Sequence, residues 1–311
     1  MRSRRHPRRD DRRGPPRGGP HAPGAPRAVR APAPPRAPLE VVREGRAPGP
    51  GGLEILYKDA QICLVDKGPG LLTVPTDRGN PPTVVGLLHH RLRGAHDRLF
   101  PVHRLDRDTS GVLVVARTRW ALGFLVGQLR SRNLSRVYLG LVRGTPPKAG
   151  TLVSHLGTVG KDLRMRALAE GEGKLAVTHF RVVEQAHGVA LVAFKLDTGR
   201  RNQIRVQMAE LGHPLLGEQQ YAEPREGDPA RQALHSHRLT LPHPDGTRTI
   251  TGVSPLPEDL ASAWRAAGGR HGPMLREEFQ IPGAGAPRIE LTRKGPPPGA
   301  RFTEDVDDDE E

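Results

Sequence analysis

The chain has 311 residues, of which 48 are Lys or Arg and 34 are Asp or Glu, so its formal net charge is +14. A positive surplus of this size favours a polyanionic partner, either a phosphate backbone or an anionic membrane. The sequence contains no run of about 18 apolar residues that could span a bilayer, and its basic N-terminus lacks the apolar stretch of a signal peptide. It therefore predicts a cytoplasmic protein whose partner is nucleic acid rather than membrane.

Polar residues are concentrated at the two ends of the chain. The first 50 residues contain 13 Arg and 12 Pro but no aromatic residue, which is too little apolar surface to offset the entropy of ordering the chain. Seven of the last eight residues are acidic and repel one another. We predict a disordered arm over 1–52, one folded domain over 53–272 and a poorly ordered tail over 273–311.

The first half of the domain alternates between strand and helix patterns. Short β-prone runs bounded by turn residues indicate strands, and apolar residues at a spacing of three and four indicate helices. In chain order the patterns predict a hairpin, a Gly/Pro-rich loop, a helix, a buried strand and a second helix at 53–65, 67–70, 83–93, 112–115 and 121–129.

The second half is predicted to be mainly β. The patterns favour three strands, a helix, a last strand and a final helix at 137–142, 175–183, 189–196, 201–211, 233–241 and 258–267. Successive strands without regular crossover helices argue against a doubly wound parallel sheet. We predict an α+β fold with a mixed, largely antiparallel central sheet and flanking helices and loops.

One aspartate lies on a predicted loop where chemistry could take place. Asp106 precedes a Thr-Ser-Gly turn that leads into the predicted strand 112–115, and loops held by a rigid scaffold often carry catalytic groups. The charges alone could equally be a solvated surface cluster. Residues 103–111, with the sequence His-Arg-Leu-Asp-Arg-Asp-Thr-Ser-Gly, nevertheless resemble the catalytic-loop signature of the RluA family of RNA pseudouridine synthases.

Further segments extend this resemblance in the same chain order. They are residues 136–144, 198–206, 212–221 and 234–239, and together with the loop they cover roughly 53–257. The resemblance implies the pseudouridine synthase fold and an isomerase that converts a specific uridine to pseudouridine in structured ribosomal or transfer RNA. The uridine would be flipped out of the stack to reach the enzyme.

The resemblance also implies a role for individual residues. Asp106 corresponds to the nucleophile, which adds either to the uracil ring or to the ribose C1′, and Arg205 to the guanidinium that favours its charged form. Tyr138 corresponds to the tyrosine that packs on the target base. Arg104 would fill the gap left in the RNA, Ile204 would contact the base, and further substrate contacts are implied for His103, Arg107 and Arg200.

Three positions depart from the family pattern. Gly68 and Pro69 follow Lys67 where the family favours Lys-Pro-x-Gly, and Asn202 and Gln207 stand where His is common. None of these changes removes a proposed catalytic group. They put secondary hydrogen bonds and substrate choice in doubt.

Other readings of the same residues predict different proteins. A basic RNA-binding protein without catalysis would need no nucleophile at Asp106. The pair Asp106 and Asp108 also resembles the loop of magnesium-dependent phosphatases, but Thr109 lies one position too early for that loop. His235 and His237 lack an obvious carboxylate or thiolate companion for a metal. We expect a monomer that binds RNA and requires no metal, nucleotide or other cofactor.

Overall fold

The computed structural model describes residues 36–76, 81–92, 98–159, 163–270 and 287–291. These residues form four helices, α1 (Val84–Leu92), α2 (Arg119–Arg130), α3 (Gln203–Glu210) and α4 (Glu258–Ala266). They also form thirteen strands: β1 (Leu39–Val42), β2 (Leu53–Lys58), β3 (Ile62–Lys67), β4 (Phe100–Pro101), β5 (Ser110–Ala116), β6 (Ser135–Arg143), β7 (Ala149–Thr158), β8 (Met165–Leu168), β9 (Lys174–Ala186), β10 (Val189–Leu196), β11 (Leu234–Pro242), β12 (Thr249–Val253) and β13 (Arg288–Glu290).

All the strands belong to one mixed sheet. Its main path runs β13-β7-β9-β10-β6-β11-β5-β3-β2, while β1, β4, β8 and β12 pair at its sides. The pairs β1–β12, β5–β11 and β7–β13 are parallel and the others are antiparallel. The predicted α+β class with a largely antiparallel sheet is therefore confirmed.

Helices pack on both faces of β5, the strand that follows the Asp106 loop. Because successive side chains of a strand point to opposite faces, Leu113 joins one apolar cluster with Leu88 of α1. Val114 joins another with Leu125 of α2. Thr118 caps α2 by accepting a hydrogen bond from the backbone N–H of Ala121 at 3.0 Å. Burial on both faces gives the loop before β5 a rigid base.

Several strands were not predicted from the sequence. Strand β1 lies in the predicted disordered arm, and β13 lies in the predicted tail, so the expected lack of order is wrong for these two segments. Each gains backbone partners from a distant strand, β12 for the first and β7 for the second. Residues 1–35 of the predicted arm, and 273–286 and 292–311 of the predicted tail, lie outside the described residues.

Within the domain, β4, β7, β8 and β12 are additional strands, and β11 is not the last strand as predicted. The predicted helix 201–211 begins later, at Gln203, because Asn202 adopts a left-handed conformation with φ of 54°. Residue 93, the predicted end of the first helix, lies outside the described residues. In the described part of the chain, no helix combines the length and apolar character needed to cross a bilayer.

Candidate active site

A cleft of about 440 Å³, including the space open to solvent, lies where the loop before β5 meets β6 and the start of α3. It brings together residues as far apart in the sequence as Arg104 and Leu234. Six of the eight residues predicted for the site line it, namely Arg104, Asp106, Tyr138, Arg200, Ile204 and Arg205. Its remaining lining residues are Leu105, Thr109, Arg136, Leu196, Gly199, Asn202, Gln203 and Leu234.

Buried side chains fix the loop that carries Asp106. The hydroxyl of Thr73 donates to the carbonyl of Leu105 and accepts from its N–H, both at 3.1 Å. On the other side of Asp106, Lys67 Nζ donates to the carbonyl of Arg107 at 2.8 Å, and Arg231 donates to that of Asp108 at 2.9 Å. The backbone is therefore held on both sides of the aspartate.

Lys67 is fully buried although it carries an ionisable amine. Its Nζ also donates to the carbonyls of Gly68 and Leu71, at 3.0 and 2.8 Å. Burial lowers the pKa of Lys67 to about 7, and the negative charges of Asp108 and Asp106 partly oppose that shift. The sequence showed Lys67 only as part of a loop, because its contact with Arg107 spans 40 positions.

The carboxylate of Asp106 is one quarter exposed and faces several cations. Burial raises the pKa of Asp106, whereas the charges of Arg205, Arg104 and Lys67 lower it. Arg205 Nη1 lies 3.7 Å from Asp106 Oδ2. This distance is long for a hydrogen bond. The positive charge of Arg205 therefore favours the charged form of Asp106, while the carboxylate oxygen remains available to a substrate.

Arg205 is itself held by a second carboxylate. Its Nε and Nη2 donate to the two oxygens of Glu218 at 2.8 Å each, and the Glu218 side chain is fully buried. Its Nη1 donates to Asn202 Oδ1 at 3.1 Å, and its guanidinium lies 5.3 Å from the ring centroid of Tyr221. Such bidentate pairing fixes the plane of the guanidinium. Glu218 was not predicted as a site residue.

Tyr138 and Ile204 form apolar parts of the cleft. Tyr138 lies in β6, paired with Phe194 of β10, and is 5% exposed. Burial raises the pKa of Tyr138, and the charge of Asp106 raises it further, so its phenol is neutral. Ile204, in the first turn of α3, is 3% exposed. Both are suited to contact an uncharged planar base.

Arg104 and Arg200 add positive charge at the exposed side of the cleft. Arg104 lies in the loop immediately before Asp106 and is exposed. Arg200 lies on the loop before α3, where its Nε donates to the carbonyl of Leu175 at 3.2 Å. The cleft is therefore basic around its aspartate.

The structure does not place Arg107 and His103 in the cleft lining. The side chain of Arg107 is 66% exposed and pairs with Asp108 at 3.3 Å. Both ring nitrogens of His103 are buried without a hydrogen-bond partner among the described residues. Burial lowers the pKa of His103 to about 3, with a further contribution from the positive charge of Arg136. His103 is therefore neutral, and its direct substrate contact stays a prediction.

Each departure from the family pattern has a local explanation. Asn202 accepts from Arg205 and donates to the Tyr221 hydroxyl at 2.8 Å, so it supports the arginine. Gln207 is fully buried and donates to Ser154 Oγ at 3.0 Å. A Cβ at Gly68 would lie 2.2 Å from the Gly49 carbonyl oxygen, so the close backbone approach requires glycine.

The histidines considered as metal ligands take part in backbone and hydroxyl contacts. His235 Nδ1 lies 2.9 Å from Ser110 Oγ, and its Nε2 lies 2.9 Å from the Ser254 carbonyl. His237 Nδ1 lies 2.7 Å from the same carbonyl. Within the described ranges, no group of three or more His, Cys, Asp or Glu side chains is arranged to hold a metal ion.

Asp106 of the loop before β5, Tyr138 of β6 and Arg205 of α3 meet in one basic cleft, the arrangement that the resemblance to pseudouridine synthases predicts. Residues 61–210 match the family model described as RNA pseudouridylate synthase. The chain is 40% identical over 235 residues to the ribosomal large subunit pseudouridine synthase D of Xylella fastidiosa, covering 70% of each chain. The protein of that name from Neisseria meningitidis is 36% identical over 247 residues, which are 74% of this chain and 66% of that protein.

A solved structure supports the fold. Human RNA pseudouridylate synthase domain containing 4 superposes with a TM-score of 0.58 at 22% identity, over 70% of this chain and 94% of that one. The chain spans roughly two thirds of the length of its curated relatives, 66% and 70% for the two bacterial proteins. It belongs to the RNA pseudouridine synthase family, whose members are isomerases.

Proposed function

We propose that this chain isomerises a uridine of large-subunit ribosomal RNA to pseudouridine, with Asp106 as the nucleophile. The observation that carries the proposal is the position of an ionisable carboxylate in a basic cleft, 3.7 Å from a fixed guanidinium and beside a buried tyrosine. The ribosomal substrate is proposed because relatives at 36–40% identity are named for it. Transfer RNA is the alternative substrate, and mapping pseudouridine in total RNA distinguishes the two.

The proposed chemistry begins with the ionised form of Asp106. Its oxygen attacks either C6 of uracil or C1′ of the ribose, and the bond between N1 and C1′ breaks. The uracil turns, its C5 bonds to C1′, the bond to Asp106 breaks, and the proton on C5 is lost while N1 gains one. Reactants and product have the same composition, so the reaction needs no oxidant or reductant.

The surrounding residues have distinct proposed roles. Arg205 keeps Asp106 ionised, Tyr138 packs on the uracil ring, and Ile204 supplies an apolar contact. Arg104 replaces the extruded uridine in the RNA, because a planar cation can stack where a base has left. Arg200 contacts the phosphate backbone at the edge of the cleft.

We also propose that the chain acts as a cytoplasmic monomer without a metal or nucleotide cofactor. The side chains of a single chain supply every group named in this mechanism. Light scattering in the presence and absence of RNA, and an assay after dialysis against EDTA, test these points. A rate that is lost with EDTA and restored by a metal would contradict them.

The function is tested by incubating the protein with total RNA from a strain that lacks its gene and mapping pseudouridine at nucleotide resolution. We expect one or a few new sites in large-subunit ribosomal RNA. New sites only in transfer RNA would change the substrate and keep the activity. Tight RNA binding without any new pseudouridine would instead support a non-catalytic RNA-binding protein.

A further inference from the structure

Arg136 is a buried cation without a protein partner in the described part of the chain. The residue is 6% exposed, and its Nε is buried with no hydrogen-bond acceptor among the described residues. Other buried arginines near the site are paired, Arg205 with Glu218 and Arg231 with Asp259. Sequence reasoning gave Arg136 no role.

An unpaired guanidinium in this position is costly, because burial removes its hydration without supplying an anion. Its charge acts on its neighbours: it lowers the pKa of His103 and opposes the burial-driven rise in the pKa of Tyr138. Asp106, a carboxylate in the same cleft, is directed to Arg205. Among the described residues no anion pairs with the Arg136 guanidinium, so an anion that enters the cleft from outside the protein can occupy that position.

The cleft gives such an anion access to Arg136. Arg136 and Tyr138 are two positions apart in β6, so their side chains leave the same face of the sheet. Both line the cleft with Asp106. The guanidinium packs beside Gly199, where a Cβ would lie 3.2 Å from its Nη1. Arg136 is therefore held between β6 and the loop before α3.

We propose that Arg136 binds a backbone phosphate of the extruded uridine. A guanidinium presents a planar set of donors that matches two phosphate oxygens. The pair would form only when the nucleotide enters the cleft, so it would favour the flipped-out state over the stacked one. This inference rests on the proposed function, and it adds the group that recognises the phosphate.

A thermodynamic cycle tests the pairing once the target uridine has been mapped. RNA binding is measured for Asp106→Asn, which prevents turnover, and for Asp106→Asn with Arg136→Met. Each protein is tested on the natural RNA and on RNAs with one uncharged methylphosphonate, placed 5′ or 3′ of the target uridine. Asp106→Asn with Arg265→Met is the control, because Arg265 is exposed on α4 and pairs with Glu258.

At one of the two positions, the methylphosphonate should weaken binding to Asp106→Asn by about tenfold or more, as for a hydrogen bond to a charged group. In the protein that also carries Arg136→Met, the same methylphosphonate should weaken binding by less than about twofold. In the control with Arg265→Met, it should weaken binding as much as in Asp106→Asn alone. If the methylphosphonate weakens binding by the same factor with and without Arg136→Met at both positions, the inference is overturned. That result would point to a base contact or a structural role for Arg136.

Two companion measurements separate the remaining explanations. Wild-type protein is assayed on the natural RNA in parallel, so that absence of pseudouridine would refute the proposed function rather than the phosphate contact alone. The Tm of the free Arg136→Met protein should equal or exceed that of wild type, because the variant removes an unpaired buried charge. A Tm lower by several degrees would assign Arg136 a structural role and contradict the inference.

Discussion

Arg205 is shared unequally between two carboxylates. It donates to both oxygens of Glu218 at 2.8 Å, whereas its Nη1 is 3.7 Å from Asp106 Oδ2. Glu218 therefore fixes the guanidinium, and Asp106 receives its electrostatic support without a close hydrogen bond. This division leaves an accessible Asp106 oxygen for the proposed attack on the substrate.

Replacing the supporting pair by Arg205→Met with Glu218→Gln should shift the acid side of the pH–rate profile to higher pH. The double change avoids leaving Glu218 buried and unpaired. Because Arg205 lowers the pKa of Asp106 against the effect of burial, its loss raises that pKa, so the ionised form disappears at a higher pH as the solution is acidified. A nearby Arg typically shifts a carboxyl by about 1–3 units.

The measurement is the single-turnover rate from pH 4 to 8 at saturating RNA. Replacing the exposed pair by Arg265→Met with Glu258→Gln is the matched control and should leave the profile unchanged. An acid limb at the same pH in both double variants would contradict the proposed support of Asp106.

The sequence predicted the residues that meet in the cleft better than those that hold them. Asp106, Tyr138 and Arg205 lie in short motifs, so the resemblance could assign them one by one. Glu218 and Lys67 contribute through contacts that span 13 and 40 positions. Such contacts depend on the packed fold and leave no local spacing to recognise.

The missed strands have a related cause. Strand β1 follows a Pro-rich and Arg-rich stretch, and its order comes from parallel pairing with β12 about 210 positions later. Strand β7 contains Gly150 and Gly157, which weaken the local β pattern. In both cases partner strands supply the stability that local propensity lacks.

Lys67→Met should slow catalysis by roughly tenfold or more while leaving RNA affinity near the wild-type value. The ammonium holds the Arg107 carbonyl next to Asp106, and small displacements of a reacting group can cost up to about 100-fold in rate. Lys58→Met is the control, because Lys58 is exposed at the end of β2. Single-turnover rates and equilibrium binding on the same RNA measure the two effects.

Deprotonation of Lys67 should also lower the wild-type rate on the alkaline side of the pH–rate profile. The pKa of Lys67 is about 7, and its deprotonation leaves two N–H donors for three carbonyls. The rate should fall as the pH rises through that value, and Lys67→Met should lack this limb. A wild-type rate that is constant from pH 6 to 9 would contradict the assignment.

Arg104→Ala should slow the reaction most on RNA whose target uridine is paired and stacked. Arg104 is exposed at the cleft next to Asp106, and extrusion of a stacked base costs a few kcal/mol, less when the base is already unpaired. Rates on matched RNAs with a paired or an unpaired target uridine measure the difference. Equal defects on both RNAs would indicate a simple phosphate contact.

The variant Asp106→Asn tests whether Asp106 is the nucleophile. The amide is nearly isosteric but lacks the charge needed for attack. Pseudouridine at the mapped site and RNA affinity are measured together for wild type and Asp106→Asn, with Asp108→Asn as a control on the same loop. We predict no product from Asp106→Asn and an affinity within about twofold of wild type. Product formation by Asp106→Asn at a rate near that of wild type would show that Asp106 is not the nucleophile.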